Sequence, residues 1–420
     1  MDPCTPVVVA ARRTPVATAG KGLAGVEVAD LAAPVLAALA DDLAALLPGP
    51  HPPVVDEVVL GTCCGPGGDV ARVATLAAGL GVEVPAMTVD RQCGSGLEAI
   101  RVAAALIGSG SATVVLAGGA ESASTAPWRM TRPRGATDVP RPYQRAPFAP
   151  PGFADPEMGE AADELARQRA VSRERQDAYA IRSHARAVDA ALAGRFDAEL
   201  VAVAGMVEDD RPRRGLTPTL LRRFRPAFGP AGTVTAGNSC GINDGAAAVA
   251  VIPEALRASA GVAGLRILGA AVSGVDPSAP GLGPVPAVEQ VLQRAGLGVD
   301  DLAVFEITEA FAGQVLACTD ALGLDPLGAD DDRVCPEGGA IALGHPWGAS
   351  GALLMVRLFG SLLSPPAGPR FGAGPHDTSS PNRATGSRPA VGRYGLATCA
   401  IGGGQGIAVL VEAVSAENPD

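Results

Sequence analysis

Two stretches of this chain repeat the same succession of elements, and this repetition constrains the fold more than any other feature. In the first, the sequence CGSG at 93–96 leads into a helical pattern and then into a strand-like run that ends in the glycines 118–119. In the second, HPWG at 345–348 leads into a helical pattern and then into a strand-like run that ends in the glycines 402–403. A repeated supersecondary unit indicates internal duplication. We therefore predict two related halves.

Both halves alternate apolar runs with helical patterns, which is characteristic of a layered α/β fold. The first half has strand-like runs at 7–10, 58–60 and 113–116, and helical patterns at 28–47 and 97–107. The second half has strands predicted near 267–272, 303–307 and 396–401, and helices near 287–295 and 349–363.

The alternation is interrupted at 125–241, which we treat as an insertion between the halves. It begins with Pro- and Arg-rich sequence at 128–156 and continues with a polar helical pattern at 160–193. We predict an N-terminal half at 1–124, completed by about 242–264, and a C-terminal half at 265–420. The segment 364–393 is rich in Pro, Gly, Ser and Thr, so we expect a disordered surface insertion without a role in chemistry.

Cys93 is the candidate nucleophile. It lies between a strand-like run and a predicted helix start, where free backbone N–H groups favour a thiolate. The flanking Gly94 and Gly96 would leave room for a substrate. The alternative is that Cys93 is a small buried hydrophobe, as most free cysteines are.

His345 is the candidate base. The chain has four histidines, and only this one lies in a long glycine-rich loop, at 338–351. A histidine that the fold brings to a cysteine can remove the proton from its thiol. A further glycine cluster at 402–406 follows a strand-like run, and the three clusters together indicate an active site.

Composition excludes several classes of function. The chain of 420 residues is 47% hydrophobic, and its net charge of −11 with a pI near 5.0 argues against nucleic acid or an anionic membrane as main partner. The eight cysteines show no CxxC spacing, so we expect no metal site and no disulfide scaffold. We find neither a signal-peptide pattern nor an apolar run of spanning length, and we expect a cytoplasmic protein.

The chain resembles the thiolase family over nearly its whole length. The motifs that carry the resemblance are ARRTP at 11–15, GGAES at 118–122, RERQD at 173–177 with SH at 183–184, GTVTAGN at 232–238, NDGAA at 243–247 and EAFA at 309–312. Membership implies a duplicated five-layer α/β/α/β/α core. It also implies that 125–241 is a loop domain that covers the site and binds the tail of coenzyme A (CoA).

The resemblance also implies a reaction. Cys93 would be acylated by acyl-CoA with His345 as base, and the N–H groups of Cys93 and Gly402 would form the first oxyanion hole. In the synthetic direction, a second acyl-CoA loses an α-proton to another cysteine, and its enolate attacks the acyl group. CoA is then a substrate and product, no cofactor is tightly bound, and the protein is a homodimer or homotetramer.

Two positions are expected to contact CoA. Arg213 matches a family position at the nucleotide end, and a guanidinium suits phosphate; the alternative is a solvated loop arginine beside Arg211 and Arg214. Cys240 stands where the family usually has a serine near the pantetheine arm.

The second half-reaction is where this chain departs from the family. Thr308 replaces an Asn that holds a water at the second oxyanion hole, and Ala400 replaces the second cysteine. Cys399 is one place early, and strand alternation predicts that it points away from Cys93 as a core thiol unless a bulge re-aims it. Trp347 is bulkier than the usual aliphatic residue and could narrow the acyl pocket.

Three functions follow from these residues. The first is a working thiolase that makes or cleaves a 3-ketoacyl-CoA, with His345, water or Cys399 replacing the missing cysteine. The second is an acyltransferase or thioesterase that delivers the acyl group to a non-CoA acceptor or to water. A binding subunit without catalysis is disfavoured, because Cys93 and His345 are both present.

Overall fold

The computed structural model describes residues 2–50, 53–143, 145–364 and 393–416. Its strands are β1 (Pro6–Arg13), β2 (Ala17–Thr18), β3 (Glu57–Gly61), β4 (Ala86–Val89), β5 (Val115–Ser122), β6 (Arg129–Met130), β7 (Pro142–Tyr143), β8 (Asn243–Pro253), β9 (Gly264–Gly274), β10 (Leu302–Ile307), β11 (Tyr394–Ile401) and β12 (Gln405–Val414).

The helices surround and separate these strands. They are α1 (Val28–Leu46), α2 (Val70–Ala77), α3 (Ser95–Gly108), α4 (Met158–Gln168), α5 (Arg173–Leu192), α6 (Pro218–Leu221), α7 (Glu254–Ala260), α8 (Pro284–Ala295), α9 (Ala312–Ala321), α10 (Ala340–Leu343) and α11 (Trp347–Leu363), with 3₁₀ turns at Pro280–Leu282 and Val299–Asp301.

The strand order confirms the internal duplication. The order is β10-β11-β12-β9-β1-β8-β5-β3-β4, with β2 beside β8 and a separate β6-β7 hairpin. In the N-terminal half β3 is parallel to β5, while β5, β8 and β1 are antiparallel neighbours. In the C-terminal half β10, β11, β12 and β9 repeat the same pattern. The halves join through two residue pairs between β1 and β9, Val7 with Arg266 and Val8 with Leu265.

The hydrophobic core separates into layers that match the expected α/β/α/β/α arrangement. One cluster packs α1 and α2 against one face of the N-terminal strands. A central cluster packs α3 and α11 against strands of both halves. A third packs α8 and α9 against the other face of the C-terminal strands. Along β8, for example, Val249 and Val251 enter the central cluster while Ala248 and Ala250 enter the outer one, as strand alternation requires.

The pattern at 160–193 is two helices, and the prediction of one is wrong. Ala170, after α4, has φ +54°, a left-handed conformation that does not continue a helix. Ser172 then accepts a hydrogen bond from the N–H of Arg175, which caps the start of α5.

The predicted insertion at 364–393 lies outside the described residues except at its two ends, and the domain boundaries stay a prediction. None of the helices in the described ranges has the length and apolar character that a membrane crossing requires.

Candidate active site

Cys93 lies in a tight turn between β4 and α3. Gln92 has φ +46°, and the N–H groups of Gly94 and Ser95 donate to the carbonyls of Arg91 and Gln92. The Ser95 hydroxyl donates to the Gln92 carbonyl at 2.6 Å and accepts from the Arg91 N–H at 2.8 Å. These bonds fix the turn that presents the sulfur at the start of α3.

The glycines around Cys93 serve close packing rather than substrate access. A Cβ on Gly94 would lie 2.5 Å from Cδ1 of Ile401, and one on Gly96 would lie 2.7 Å from the backbone nitrogen of Ala352. Both distances are too short for any side chain, so these glycines let α3 pack against β11 and α11. The expectation that they clear a path for substrate is therefore corrected.

The surroundings of the Cys93 thiol favour its protonated form. Burial raises its pKa well above the usual range, and the neighbouring thiols of Cys399 and Cys240 raise it further. The expectation that the helix terminus favours a thiolate is thus wrong, because desolvation of the charged sulfur outweighs the partial charge of the free N–H groups. As a nucleophile, Cys93 would therefore need a base.

The surroundings of His345 favour its neutral form. Its Nδ1 lies 2.6 Å from Oγ of Ser350, whose hydroxyl donates to the Pro346 carbonyl at 3.1 Å. Because that hydroxyl proton is already used, the serine oxygen accepts from Nδ1–H, and Nε2 carries the lone pair. Burial lowers the pKa of His345 to about 4. The backbone N–H of His345 donates to Oδ1 of Asn243 at 3.0 Å, which ties the loop to the start of β8.

Cys93, His345 and Gly402 line one cavity of about 120 Å³, called here the Cys93 cavity. Its other lining residues are mostly apolar and come from both halves and from the insertion: Met158, Ala161, Ala162, Cys240, Pro280, Gly281, Ala310, Phe311, Gln314, Trp347, Ala400 and Ile401. The candidate nucleophile, base and glycine turn therefore meet where the two halves face each other.

Gly402 begins the turn between β11 and β12. A Cβ on Gly402 would lie 2.8 Å from the ring of Phe148, which belongs to the insertion. The next two residues, Gly403 and Gly404, have φ of +87° and +83°. This turn needs glycine at each position, and it brings backbone to the cavity wall.

Ala400 and Cys399 lie on opposite faces of β11. The pairing with β12 is unbroken from Tyr394 to Ile401, so no bulge re-aims either side chain. Ala400 lines the Cys93 cavity, whereas Cys399 belongs to the central core cluster. Burial raises the pKa of the Cys399 thiol to about 12.

One expectation about Cys399 is nevertheless wrong. Its Sγ lies 3.3 Å from the carbonyl oxygen of Cys93, so it approaches Cys93 from the core side instead of pointing away. The reason is that Cys93 precedes α3, which itself packs in that central layer. Cys399 contacts the backbone of Cys93 and does not line the cavity.

Thr308 also lies apart from the Cys93 cavity. It lines a second cavity, of about 30 Å³, together with Ser350 and Gly344. Its buried hydroxyl has no hydrogen-bond partner among the described residues, and its N–H donates to the carbonyl of Thr398. The second cavity is large enough for one water, on the side of His345 that carries Ser350.

Comparison with known proteins gives the family. The model described as Thiolase, N-terminal domain matches residues 6–255, and that described as Thiolase, C-terminal domain matches 262–367. The chain belongs to the thiolase family. It is an acyltransferase of that type.

Individual relatives agree with this assignment. A Bacillus subtilis (strain 168) protein named "Putative acetyl-CoA C-acetyltransferase YhfS" is 42% identical over 337 residues, which are 79% of this chain and 84% of that protein. A Staphylococcus haemolyticus (strain JCSC1435) protein named "Putative acetyl-CoA C-acetyltransferase VraB" is 39% identical over 413 residues, 97% and 98% of the two chains. The crystal structure of the Bacillus anthracis acetyl-CoA acetyltransferase has a TM-score of 0.82 at 33% identity and covers 98% of this chain and 99% of its own.

The two residues expected to contact CoA lie in different places in this thiolase. Cys240 lines the Cys93 cavity, and burial raises the pKa of its thiol to about 12. Arg213 is exposed and lies outside that cavity, beside α5 in a surface hollow that Ile181 and Asp189 also line. The backbone N–H of Arg213 donates to Nδ1 of His184 at 3.2 Å.

Two buried carboxylates position the site, and sequence reasoning assigned them no role. Glu121 accepts from the N–H groups of Cys63, Cys64 and Gly348, so it joins the loop after β3 to the first turn of α11. Glu309 accepts from the Tyr179 and Ser183 hydroxyls of α5 and from the N–H of Ile341.

Glu121 lies in the motif GGAES, Glu309 in the motif EAFA, and Ser350 in the glycine-rich loop at 338–351. An acidic residue within a mostly apolar motif of small residues could have indicated a structural role, because a buried carboxylate needs hydrogen-bond donors around it. Among the described residues no cluster of His, Cys, Asp and Glu side chains is arranged to hold a metal ion.

Proposed function

We propose that this thiolase takes an acyl group from an acyl-CoA onto Cys93 and then makes or cleaves a 3-ketoacyl-CoA. The observation that carries the proposal is the meeting of Cys93, His345 and Gly402 on one largely apolar cavity. The names of the relatives, acetyl-CoA C-acetyltransferases, support a short acyl group.

In the first half-reaction, Nε2 of His345 removes the Cys93 proton as the sulfur attacks the thioester carbonyl carbon. The pKa of Cys93 is raised and that of His345 is lowered, so the pair starts uncharged and the proton moves during attack. The N–H groups of Cys93 and Gly402 receive the oxyanion, and one such donor is worth about 10²–10³ in rate. The C–S bond to CoA then breaks, and imidazolium returns the proton to the CoA sulfur.

The CoA molecule would extend from this cavity over the insertion. Cys240 would lie along the pantetheine arm, and Arg213 would pair with a phosphate at the nucleotide end. Arg213 is exposed and has no competing role in the core, which supports that assignment. The expected homodimer or homotetramer, and the domain boundaries, belong to the same proposal.

A second function is favoured by Ala400. Ala400 lines the cavity at the position where the family usually has its second cysteine, and its methyl group cannot act as a base. Cys399 belongs to the core instead. An amine, alcohol or water needs a weaker base than a carbon acid does, so transfer of the acyl group to such an acceptor would need only His345.

The test is incubation with acetyl-CoA and a panel of short acyl-CoAs, following free CoA and acetoacetyl-CoA separately. Formation of both products supports the thiolase reaction. Release of CoA without acetoacetyl-CoA, and without cleavage of added acetoacetyl-CoA, supports transfer to another acceptor. Release of neither would contradict both functions.

A further inference from the structure

A second thiol lies on the wall of the Cys93 cavity. Cys240 lines it together with Cys93, His345 and Ala400. Its N–H donates to the carbonyl of Ala310 at 3.0 Å, which fixes the loop that carries the thiol. The charge of a Cys240 thiolate would raise the pKa of Cys93. The cavity therefore has an ionisable thiol besides that of Cys93.

The guanidinium of Arg211 lies close to Cys240. Its Nη1 fills the space that a side chain at Gly241 would need, and its Nη2 is 3.4 Å from the carbonyl of Ile341. Nε of Arg211 is buried and has no hydrogen-bond partner among the described residues. Arg211 lowers the pKa of Cys240 against the effect of burial. A half-buried cation with an unused buried donor is stabilised by an anion beside it.

We propose that Cys240, with Arg211 stabilising its thiolate, is the base of the second half-reaction and replaces the cysteine that Ala400 lacks. The inference rests on the proposed function and names a catalytic residue for its carbon–carbon step. Cys399 is not the base, because its sulfur lies in the central core and not on the cavity wall.

In this second half-reaction, His345 accepts the proton of Cys240 and later donates a proton to Cys93. After CoA has left, His345 is neutral and takes the proton of the Cys240 thiol, directly or through one water. The Cys240 thiolate removes the α-proton of the second acyl-CoA, and the enolate carbon attacks the acyl carbon on Cys93. The C–S bond to Cys93 breaks with its electron pair on sulfur, and imidazolium protonates that sulfur. Cys240 ends as a thiol and His345 as a neutral base.

The experiment follows exchange of the α-hydrogens of acetyl-CoA in D₂O by mass spectrometry, beside acylation of Cys93 by intact mass. Cys240→Ser introduces the residue usual in the family. We expect α-hydrogen exchange and condensation to fall by about 100-fold or more, and to fall far more than acylation of Cys93 measured in the same variant. Adding Ala400→Cys to Cys240→Ser should restore exchange, because it supplies a thiol on the same cavity wall.

Cys318→Ser is the matched control. The Cys318 thiol is also buried, with its pKa raised to about 12 by burial, and it donates to the carbonyl of Gly281 without lining the cavity. We expect exchange at the wild-type rate in this variant. Arg211→Met should slow exchange more than it slows acylation, and Arg211→Lys should retain exchange.

Three results would overturn the inference or its basis. Exchange that persists in Cys240→Ser would show that another group is the base. Acylation of wild type without any exchange would show that no base acts on carbon. No acyl adduct on wild type would contradict the proposed function itself, and the inference would fall with it.

Discussion

Lowering the pH from about 7.5 to about 5 should destabilise the protein through two buried histidines. Burial lowers the pKa of His345 to about 4. Burial, with the charges of Arg211 and Arg213, lowers that of His184 to about 4. An unfolded histidine titrates near 6.5. The native state therefore binds fewer protons than the unfolded state below that pH, so stability that is present above about pH 6.5 is lost as the pH falls toward 4.

The size of the effect follows from the two pKa values. At pH 5 an unfolded histidine is almost fully protonated, whereas one with a pKa of about 4 is only about one-tenth protonated. Linkage then gives a loss of about 2 kcal/mol for each histidine, or about 4 kcal/mol for the pair. Proteins are typically stable by about 5–15 kcal/mol, so this loss is readily measured.

Urea unfolding across this pH range, on wild type and on His184→Gln, isolates the contribution. The glutamine oxygen can still accept from the N–H of Arg213, so the variant keeps that bond. We expect it to lose about 2 kcal/mol less than wild type between pH 7.5 and pH 5. Parallel stability curves for the two proteins would refute the reasoning, because His184 would then titrate alike in both states.

Three further predictions concern the Cys93 cavity. His345→Ala should fold but slow CoA release by about 100-fold or more in stopped flow, and an unchanged rate would exclude His345 as the base. Trp347→Leu should extend the accepted acyl chain in an acyl-CoA panel, because Trp347 lines a cavity of only about 120 Å³; an unchanged chain-length limit would show that another residue sets it. Ala400→Cys should raise thiolysis and condensation with little effect on acylation, while Cys399→Ala should do little; the opposite outcome would make Cys399 the working base.

The fold could be predicted from the sequence because its signals are local and repeated. The runs at 303–307 and 396–401 match β10 and β11 within two residues at each end, and the helical pattern at 28–47 matches α1. The break between α4 and α5 was missed, because nothing in the pattern shows that Ala170 adopts a left-handed conformation. The pairing of β1 with β9 could not be predicted from local patterns either, because it joins residues more than 250 positions apart.

The candidate site could be predicted only in part. The glycine clusters singled out Cys93, His345 and Gly402, which line one cavity in the structure, and strand alternation indicated that Cys399 and its neighbour Ala400 face opposite sides of β11. The raised pKa of Cys93 was not foreseen, since burial depends on packing between distant segments. The hydrogen bond from His345 to Ser350 and the proximity of Arg211 to Cys240 depend on tertiary structure in the same way.

The most direct test of the proposed function is the identity of the acylated residue. The wild-type protein is incubated with acetyl-CoA, quenched in acid, and analysed by intact mass and peptide mapping, with Cys93→Ala as control. We predict one acetyl group, carried by the peptide that contains Cys93, and no adduct or turnover in the alanine variant. No adduct on wild type, or an adduct that survives Cys93→Ala with turnover intact, would contradict the assignment of Cys93 as the nucleophile.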